Sequence, residues 1–354
     1  MQRTSVFVSS GLSFLAVVAM LALGTPAARA ANPAPVGEIH GAGSTFIQPI
    51  MTEWSYNWSG KAATKVSYEG GGSGAGISKV KAGQVDFGAT DAPLADEELN
   101  ASGLVQFPIV AGGIVVVEKV TDLGRRRLQI DATTLAAIFM GKITRWNDPA
   151  LVALNPGAPL PDAPIAVIHR SEGSGTTYNF SAYLTKTSPE WAGKLGTAKS
   201  INWPVGTGTE GNQNVATMVS NTPNSIGYVE YGYALAHNMR IATLHGAAGV
   251  TVYPTQTTIR NAVDAADWAH APSFNLLLVG IQGKDAWPIA STTWVLLPAK
   301  GANTSKCLEF FRWALDSGAT YADSQGYTPL PPKLVQMIEA SWSKSFPAIK
   351  GAAH

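Results

Sequence analysis

Three segments of the sequence share one arrangement, a loop rich in glycine, serine and threonine at the predicted start of a helix. They are residues 41–46, 70–76 and 173–177. Glycine lets the backbone approach a ligand closely, and the first N–H groups of a helix lack internal partners and carry partial positive charge. One such loop alone is explained by helix capping, which favours serine and threonine. Three of them together predict a site for an anion.

Two charged residues precede the glycines of the third loop. Arg170 ends a β-favouring run, and Glu172 follows it at a distance of two residues. A guanidinium group is a rigid fork of N–H donors that matches an oxyanion, and a neighbouring carboxylate can hold that fork in orientation. Open α/β sheets bind ligands at the carboxyl ends of their strands. We therefore predict that Arg170 contacts the anion and that Glu172 supports it; an ordinary surface ion pair is the alternative.

A further carboxylate, Asp91, follows the β-favouring residues 85–89. A negative group would repel an anion unless the anion carries a proton that the carboxylate can accept. Sulfate is fully ionised at neutral pH and offers no such proton, whereas phosphate does. Asp91 is therefore predicted to select phosphate over sulfate and molybdate. Phosphonate and arsenate remain open as ligands.

Two enzyme classes share parts of this pattern. Residues 70–75 fit the G-x-G-x-x-G/A dinucleotide fingerprint, with an acid about 20 residues further on. The preceding run, residues 64–69, is half polar, unlike a central strand of a dinucleotide-binding sheet. Neither Ser73 nor Ser174 lies in the G-x-S-x-G motif of hydrolases. The six histidines are scattered, and His169 should point away from the face of its strand that carries Arg170. The sequence predicts no enzyme, no cofactor and no metal site.

The first thirty residues differ from the rest of the chain. Arg3 precedes an apolar run at residues 12–23, and residues 28–30 form an A-x-A cleavage site. The run is shorter than the about 20 residues of a membrane span, so we predict a cleaved secretory signal at residues 1–30. Cys307, the only cysteine, lies far from that site. We therefore expect a freely soluble periplasmic protein without a lipid anchor.

The charge and length of the chain further limit the class of protein to which it can belong. The chain has 25 Lys plus Arg and 24 Asp plus Glu, and the predicted signal holds two arginines and no acid, so the mature chain has 25 − 2 = 23 cations against 24 anions. No basic surface is expected to attract nucleic acid, and we expect a monomer. Cys307 lies in an apolar stretch, which predicts a buried thiol. A mature chain of about 320 residues usually forms two cores.

Hydrophobic periodicity predicts an α/β architecture. The strand runs are residues 38–42, 64–69, 85–89, 107–117, 165–170, 226–231 and 291–297, and the helical runs are 75–82, 133–141, 257–268, 305–316, 333–343 and one that begins at Ser44 or Thr45. Strand, helix and strand joined by short links favour parallel sheets. Four prolines in residues 155–164 predict an irregular connection. Residues 107–117 and 291–297 should cross between two lobes, so that residues 31–110 and 290–354 form lobe I and residues 111–289 form lobe II.

Several blocks carry a resemblance to a known family. They are residues 41–46, 85–94, 170–176, 227–231 and 285–289. In this order, over essentially the whole mature chain, they resemble the phosphate-binding receptors of bacterial high-affinity phosphate ABC transporters. The resemblance implies two α/β lobes of the type II-like periplasmic binding class, each a mainly parallel sheet flanked by helices. It also implies a hinge, closure on a dehydrated phosphate, and delivery to the permease subunits of an importer.

The resemblance also implies a set of phosphate contacts. Carried over position by position, the contacts are the side chains or N–H groups of Thr45, Phe46, Ser73, Asp91, Arg170, Ser174, Gly175 and Thr176. Glu172 departs from the family, which commonly has Asp beside the arginine. Its longer side chain is expected to hold Arg170 from a different angle.

Overall fold

Alternating strands and helices make up a computed structural model of the chain, which describes residues 37–59, 61–62, 64–245 and 251–347. The predicted signal at residues 1–30 lies outside the described residues. The strands are β1 (Gly37–Gly43), β2 (Thr64–Gly70), β3 (Phe87–Thr90), β4 (Leu104–Glu118), β5 (Gln129–Ile130), β6 (Ala166–Arg170), β7 (Thr207–Thr209), β8 (Ser225–Glu230), β9 (Arg240–Ile241), β10 (Thr243–His245), β11 (Thr251–Val252) and β12 (Ala290–Pro298).

Helices flank these strands. They are α1 (Gln48–Ser59), α2 (Ser73–Lys81), α3 (Asp96–Ser102), α4 (Ala132–Phe139), α5 (Pro149–Leu154), α6 (Gly175–Thr187), α7 (Pro189–Lys194), α8 (Gly211–Asn221), α9 (Tyr231–Ala236), α10 (Gln256–Asp264), α11 (Thr304–Leu315), α12 (Ala319–Ser324) and α13 (Pro332–Ser345), with 3-10 turns at Trp268–His270 and Pro272–Phe274. The predicted strands are confirmed within a few residues. The first helix begins later than predicted, at Gln48 rather than at Ser44 or Thr45.

One large sheet carries the site, with strand order β2-β1-β3-β12-β4-β8-β6-β7 and β9 beside β4. Its pairing is mixed: β1 is parallel to β2 and β3, and β6 is parallel to β7 and β8. The strands in the middle, β12 and β4, pair antiparallel with their neighbours. The two α/β lobes are therefore joined through antiparallel strands, and the parallel pairing that the sequence predicted holds on either side of them.

The long strand β4 connects the two parts of the sheet. Residues 104–113 pair with β12, and residues 114–118 pair with β8. We call β1, β2, β3, β12 and residues 104–113 the first half-sheet, and β6, β7, β8 and residues 114–118 the second half-sheet. Gly112 and Gly113 lie where β4 changes partner. A Cβ atom at Gly112 would come 2.8 Å from the Phe46 ring, so glycine permits the sheet to pack closely against the loop after β1.

Aromatic side chains fill the interior on both parts of the sheet. In the first part, Phe311 of α11 packs edge-on against Phe87 and Phe107, with ring centroids 5.0 Å and 5.8 Å apart. In the second part, Phe180 of α6 stacks on Tyr228 of β8 at 4.2 Å. Cys307 is fully buried, as the sequence predicted. Within the described ranges, no helix combines the length and apolar character that a membrane crossing requires.

Candidate functional site

Four strands end at one buried site. β1 leads into residues 44–47, β2 into the glycines before α2, β3 into Asp91, and β6 into the loop before α6. Each predicted site residue is 6% exposed or less, or lies in the buried first turn of α6: Thr45, Phe46, Ser73, Asp91, Arg170, Ser174, Gly175 and Thr176. The fold thus brings together residues that are up to 131 positions apart in the chain, from Thr45 to Thr176, at the carboxyl ends of parallel strands.

Asp91 accepts hydrogen bonds from neutral hydroxyl groups. The Ser44 hydroxyl donates to Asp91 Oδ2 and the Thr293 hydroxyl donates to Asp91 Oδ1, both at 2.6 Å, and Ser73 Oγ lies 3.5 Å from Oδ2. Burial raises the pKa of Asp91 to about 6, although these hydroxyl groups and the charge of Arg170 act to lower it. Asp91 is thus a buried acceptor whose bound hydrogens all come from uncharged groups.

Arg170 is 2% exposed and is held from several sides. Its Nε donates to Glu172 Oε1 at 2.8 Å, and its Nη2 donates to the same oxygen. Nη2 also donates to Thr45 Oγ1 and Nη1 donates to Thr176 Oγ1, each at 3.1 Å. These bonds engage four of the five N–H groups that an arginine side chain has. They also join the two half-sheets, because Thr45 follows β1.

Glu172 uses one carboxylate oxygen for all of its contacts. Besides Arg170, Oε1 accepts the N–H of Gly211 at 3.1 Å, while Oε2 is buried and has no hydrogen-bond partner among the residues that the structure describes. A side-on pair, with one oxygen for each nitrogen, is therefore not formed. The Glu172 carboxylate thus contacts both Arg170 and the start of α8.

The first turn of α6 faces Asp91. Ser174 caps this helix by accepting the N–H of Thr177 at 3.1 Å, which leaves the N–H groups of Gly175 and Thr176 without partners inside the helix. A Cβ atom at Gly175 would lie 2.4 Å from Ser73 Oγ and 2.7 Å from Asp91 Oδ2. The positive end of α6 is therefore in direct contact with the carboxylate, and only glycine fits at this position.

The loop after β1 stays non-helical because its polar groups have other partners. The Phe46 N–H donates to Ser44 Oγ at 3.0 Å, which competes with helix formation. The carbonyl oxygens of Ser44, Thr45 and Phe46 accept the hydroxyl groups of Tyr68, Tyr233 and Tyr327 at 2.8, 2.7 and 2.6 Å. These three tyrosines hold the loop in place, and α1 begins only at Gln48. The Phe46 N–H, predicted to bind the anion, donates to Ser44 here.

The glycine-rich loop before α2 packs against the loop before α6. The Gly74 N–H donates to the Gly173 carbonyl at 2.8 Å. Gly72 has a positive φ of 86°, and a Cβ atom there would lie 3.0 Å from Glu172 Cγ. Ser73, the first residue of α2, accepts the N–H of Asp91 at 3.1 Å. The glycines in the apparent dinucleotide fingerprint thus accommodate a second loop of the protein.

His169 is buried and packs against an aromatic ring. Its ring stacks on Trp203 with centroids 4.7 Å apart, on the side of β6 opposite to Arg170. Burial lowers its pKa below the ordinary histidine value.

Some residues around the site had no signal in the sequence. Thr293 lies in an apolar strand, and the three tyrosines are distant in the chain. Asn212 follows a glycine at the start of α8 and contacts both Thr45 and Thr176. Glu230 is fully buried at the end of β8 and accepts the Gly232 N–H at 2.8 Å. Of these residues, only Glu230 lies in one of the blocks that carry the family resemblance, residues 227–231.

Comparison with known proteins gives this fold and site a class. A family model described as PBP superfamily domain matches residues 28–317. The chain is 43% identical over 312 residues to the phosphate-binding protein PstS of Xylella fastidiosa, covering 87% of this chain and 86% of that one. It is 40% identical over 312 residues to the phosphate-binding protein PstS of Haemophilus influenzae, covering 87% and 93%. Within the PBP superfamily, the chain belongs to the family of PstS phosphate-binding proteins.

A solved structure shares the fold at lower identity. The ABC-type phosphate transport receptor from Vibrio cholerae superposes with a TM-score of 0.55 at 20% identity, covering 83% of this chain and 100% of that one. At this identity the likeness concerns the two-lobed α/β fold alone.

Proposed function

We propose that this protein binds one phosphate ion between its two lobes and delivers it to the permease subunits of an ABC importer. One observation carries the proposal: a buried carboxylate, Asp91, lies against the N-terminus of α6 and close to the guanidinium of Arg170. A site with donors on one side and a negatively charged acceptor on the other suits an anion that still carries a proton. The names of the PstS relatives and of the Vibrio cholerae receptor support phosphate as that anion.

The proposed contacts divide between donors and an acceptor. The donors are Arg170, the hydroxyl groups of Thr45, Ser73, Ser174 and Thr176, and the N–H groups of Thr45, Phe46, Gly175 and Thr176. The acceptor is Asp91, which takes the proton of monohydrogen phosphate. Sulfate would place an unprotonated oxygen against the same buried carboxylate, and the like charges would repel each other.

Binding requires the two lobes to close. We assign residues 31–110 and 290–354 to lobe I and residues 111–289 to lobe II, with the hinge where β4 changes partner. The change of pairing between Gly113 and Ile114 supports this division. Because Arg170 and Thr45 come from different lobes and bond to each other, small-angle scattering should show a smaller radius of gyration with phosphate than without it. An unchanged radius, with binding confirmed, would mean that the site is closed beforehand.

Calorimetric titration tests whether the protein binds phosphate in preference to sulfate. The purified protein, dialysed free of phosphate, is titrated with phosphate and with sulfate at low and at high salt. We expect one phosphate per chain, weak or undetectable sulfate binding, and a modest effect of salt because the charges are buried. Sulfate binding as tight as phosphate binding would contradict the assignment of Asp91, and no phosphate binding would contradict the proposed function.

The cellular location of the protein and its lack of catalysis are also part of the proposed function. A binding protein of this family acts by capture and release, so we propose that the chain catalyses no reaction and works in the periplasm, exported by the signal at residues 1–30. With 23 cations and 24 anions in the mature chain, we propose a monomer without affinity for nucleic acid. Size-exclusion chromatography with light scattering, and N-terminal sequencing of the exported protein, test these statements.

A further inference from the structure

Asn212 lies in the first turn of α8, is fully buried, and touches the site from both sides. Its backbone N–H and its side-chain Nδ2 donate to Thr45 Oγ1 at 3.2 and 3.1 Å, and Nδ2 also donates to Thr176 Oγ1 at 3.3 Å. Its Oδ1 accepts the backbone N–H of Glu230 at 3.0 Å. Because a backbone N–H can only donate, this contact identifies Oδ1 and turns the NH₂ group toward the two threonines.

The contact with Asn212 occupies the lone pairs of the Thr45 and Thr176 hydroxyl oxygens. A hydroxyl oxygen has two lone pairs and one hydrogen. Thr45 Oγ1 faces three donors, namely Arg170 Nη2, the Asn212 N–H and Asn212 Nδ2. Thr176 Oγ1 faces two, Arg170 Nη1 and Asn212 Nδ2. Both oxygens are thus saturated as acceptors, and in the described part of the chain neither hydroxyl hydrogen is donated to a protein group.

We propose that Asn212 is a positioning residue that forces the Thr45 and Thr176 hydroxyl groups to act as donors to the bound anion. The inference rests on the proposed function, because it concerns the same site. Two obligate donors require unprotonated oxygens of the ligand at these two positions. Asp91 accepts a proton at another position. Together the threonines and Asp91 exclude a ligand proton at the two threonine positions and admit one at Asp91, so orientation adds to charge in setting which phosphate oxygen carries the proton.

Substitution of Asn212 by aspartate reverses this orientation. In Asn212→Asp one oxygen still accepts the Glu230 N–H, but the other accepts from Thr45 and Thr176, whose hydrogens then point away from the ligand. We expect a loss of phosphate affinity of at least about 30-fold. Asn212→Ala removes the contact without offering an acceptor and should cost less, about three- to tenfold. A residue needed only for packing would give the opposite ranking, because alanine leaves a cavity and an unpaired Glu230 N–H.

A double-mutant cycle separates orientation from charge. The Asn212→Asp change is repeated in the Thr45→Val/Thr176→Val background, which has no hydroxyl groups to reorient. If Asn212 acts through these hydroxyls, the fold-loss caused by Asn212→Asp is at least about tenfold smaller there than in the wild-type background. Equal losses in both backgrounds would mean that only the added negative charge matters, and would overturn the proposal. Thermal melting without phosphate shows whether each variant is folded.

A measurement on the unmodified protein covers the case in which the Asn212 variants do not fold. In the phosphate-bound protein, the Thr45 and Thr176 hydroxyl protons should show NMR scalar coupling to phosphorus across their hydrogen bonds, and the Asn212 side-chain amide protons should exchange slowly with water. Absence of coupling for both hydroxyls would overturn the proposal. Failure of the wild-type protein to bind phosphate by calorimetry is a separate outcome and would overturn the proposed function itself.

Discussion

Asp91 is a buried carboxylate and Glu172 a largely buried one at the proposed anion site, and their surroundings are opposite in kind. Glu172 is paired with the guanidinium of Arg170 through Oε1, so its charge is offset and its role is to orient the arginine. Among the described residues, the Asp91 carboxylate receives the hydroxyl groups of Ser44, Thr293 and, more distantly, Ser73, and no cation. Its charge is solvated by neutral dipoles but is not cancelled by a partner cation.

The difference teaches how one site can attract an anion and still reject most anions. We call Asp91 with its three hydroxyl partners the acceptor side, and Arg170 with Glu172, Thr176 and Asn212 the donor side. In the proposed function, the donor side attracts any oxyanion and the acceptor side admits only an anion with a proton to share. The two sides come from different half-sheets, so selection becomes complete only when they meet.

Removal of Arg170 is the strongest test of the donor side. Arg170→Ala should weaken phosphate binding by at least about 30-fold, since truncation of one partner of a buried charge pair costs about 2–5 kcal/mol. Calorimetry measures the loss. Arg145→Ala is the matched control, because Arg145 forms an ion pair with Asp162 but is 48% exposed, and it should leave the affinity unchanged. An Arg170→Ala affinity within threefold of wild type would place the anion elsewhere.

Arg170→Ala also leaves the largely buried Glu172 without its cation, which can destabilise the fold. The double variant Arg170→Ala/Glu172→Gln removes that charge as well. If it is as stable as wild type and still binds phosphate poorly, the loss belongs to the anion contact and not to folding.

A methyl group at Gly175 tests whether the two sides must touch. In Gly175→Ala the new Cβ atom would lie 2.4 Å from Ser73 Oγ and 2.7 Å from Asp91 Oδ2, so the lobes should fail to close fully. We expect an affinity loss of at least about tenfold and a smaller compaction in scattering. Gly193→Ala is the control, since its Cβ atom would meet nothing within 4 Å. Normal affinity and compaction in Gly175→Ala would show that contact between the sides is not required.

Asp91→Asn tests the acceptor side alone. The amide keeps the size, removes the charge and adds a donor, so sulfate should gain affinity while phosphate can still bond to the amide oxygen. The ratio of phosphate to sulfate affinity should fall at least about tenfold. Competition of labelled phosphate by sulfate measures this ratio at fixed pH and ionic strength. If sulfate competes equally poorly with both proteins, Asp91 is not the filter.

The pKa of Asp91, about 6, adds a pH dependence to the same experiment. Below this pH, a growing fraction of the phosphate-free wild-type protein carries a neutral Asp91. Sulfate should therefore compete better with wild type as the pH falls through about 6. Asp91→Asn has no such titration and should show a flatter profile. A wild-type profile as flat as that of the variant would contradict this use of the carboxylate charge.

Much of the fold and of the candidate site could be predicted because the signals are local. Strand runs, glycine loops and the positions of Asp91 and Arg170 after strands lie within short stretches of the chain. The sequence could not show that β12 pairs antiparallel with β3 and β4, because pairing direction depends on contacts between distant segments. It therefore predicted mainly parallel lobes where the central pairing is antiparallel.

The start of α1 shows the same limit on a smaller scale. The spacing of apolar residues suited a helix from Ser44 onward, but carbonyl groups that a helix would use accept hydroxyl groups from Tyr68, Tyr233 and Tyr327. Those tyrosines lie 24, 188 and 281 positions from the residues whose carbonyl groups they contact, so local spacing carries no trace of them. Tertiary hydrogen bonds override the local preference. The role of Asn212 could not be predicted for the same reason, because its contacts with Thr45 and Thr176 join distant segments of the chain.

A third buried carboxyl group, Glu230, belongs to neither side. It is fully buried beside the loop after β1 and accepts the Gly232 N–H through Oε2. Burial raises its pKa to about 8, with a smaller upward contribution from the charge of Asp91, while backbone N–H groups of Gly232 and Tyr233 act to lower it. Glu230 is therefore neutral in the folded protein over a range in which it ionises in the unfolded chain.

The pH dependence of stability should distinguish Glu230 from Asp91 and Glu172, the two carboxyl groups that are proposed to serve the anion. Because its pKa is higher in the folded state, Glu230 binds more protons there, so its contribution to stability is present below about pH 4.5 and is lost as the pH rises toward about 8. Glu230→Gln mimics the neutral form and should be more stable than wild type at pH 8 by on the order of 1–3 kcal/mol, with little difference near pH 5. Denaturant unfolding of the phosphate-free proteins across this range measures the difference, and Glu309→Gln, a change at an exposed carboxyl group of α11, serves as the control. Phosphate affinity should change less than in any variant of Asp91 or Arg170. A difference between wild type and Glu230→Gln that does not vary with pH would show that Glu230 stays ionised, balanced by donors that offset its burial.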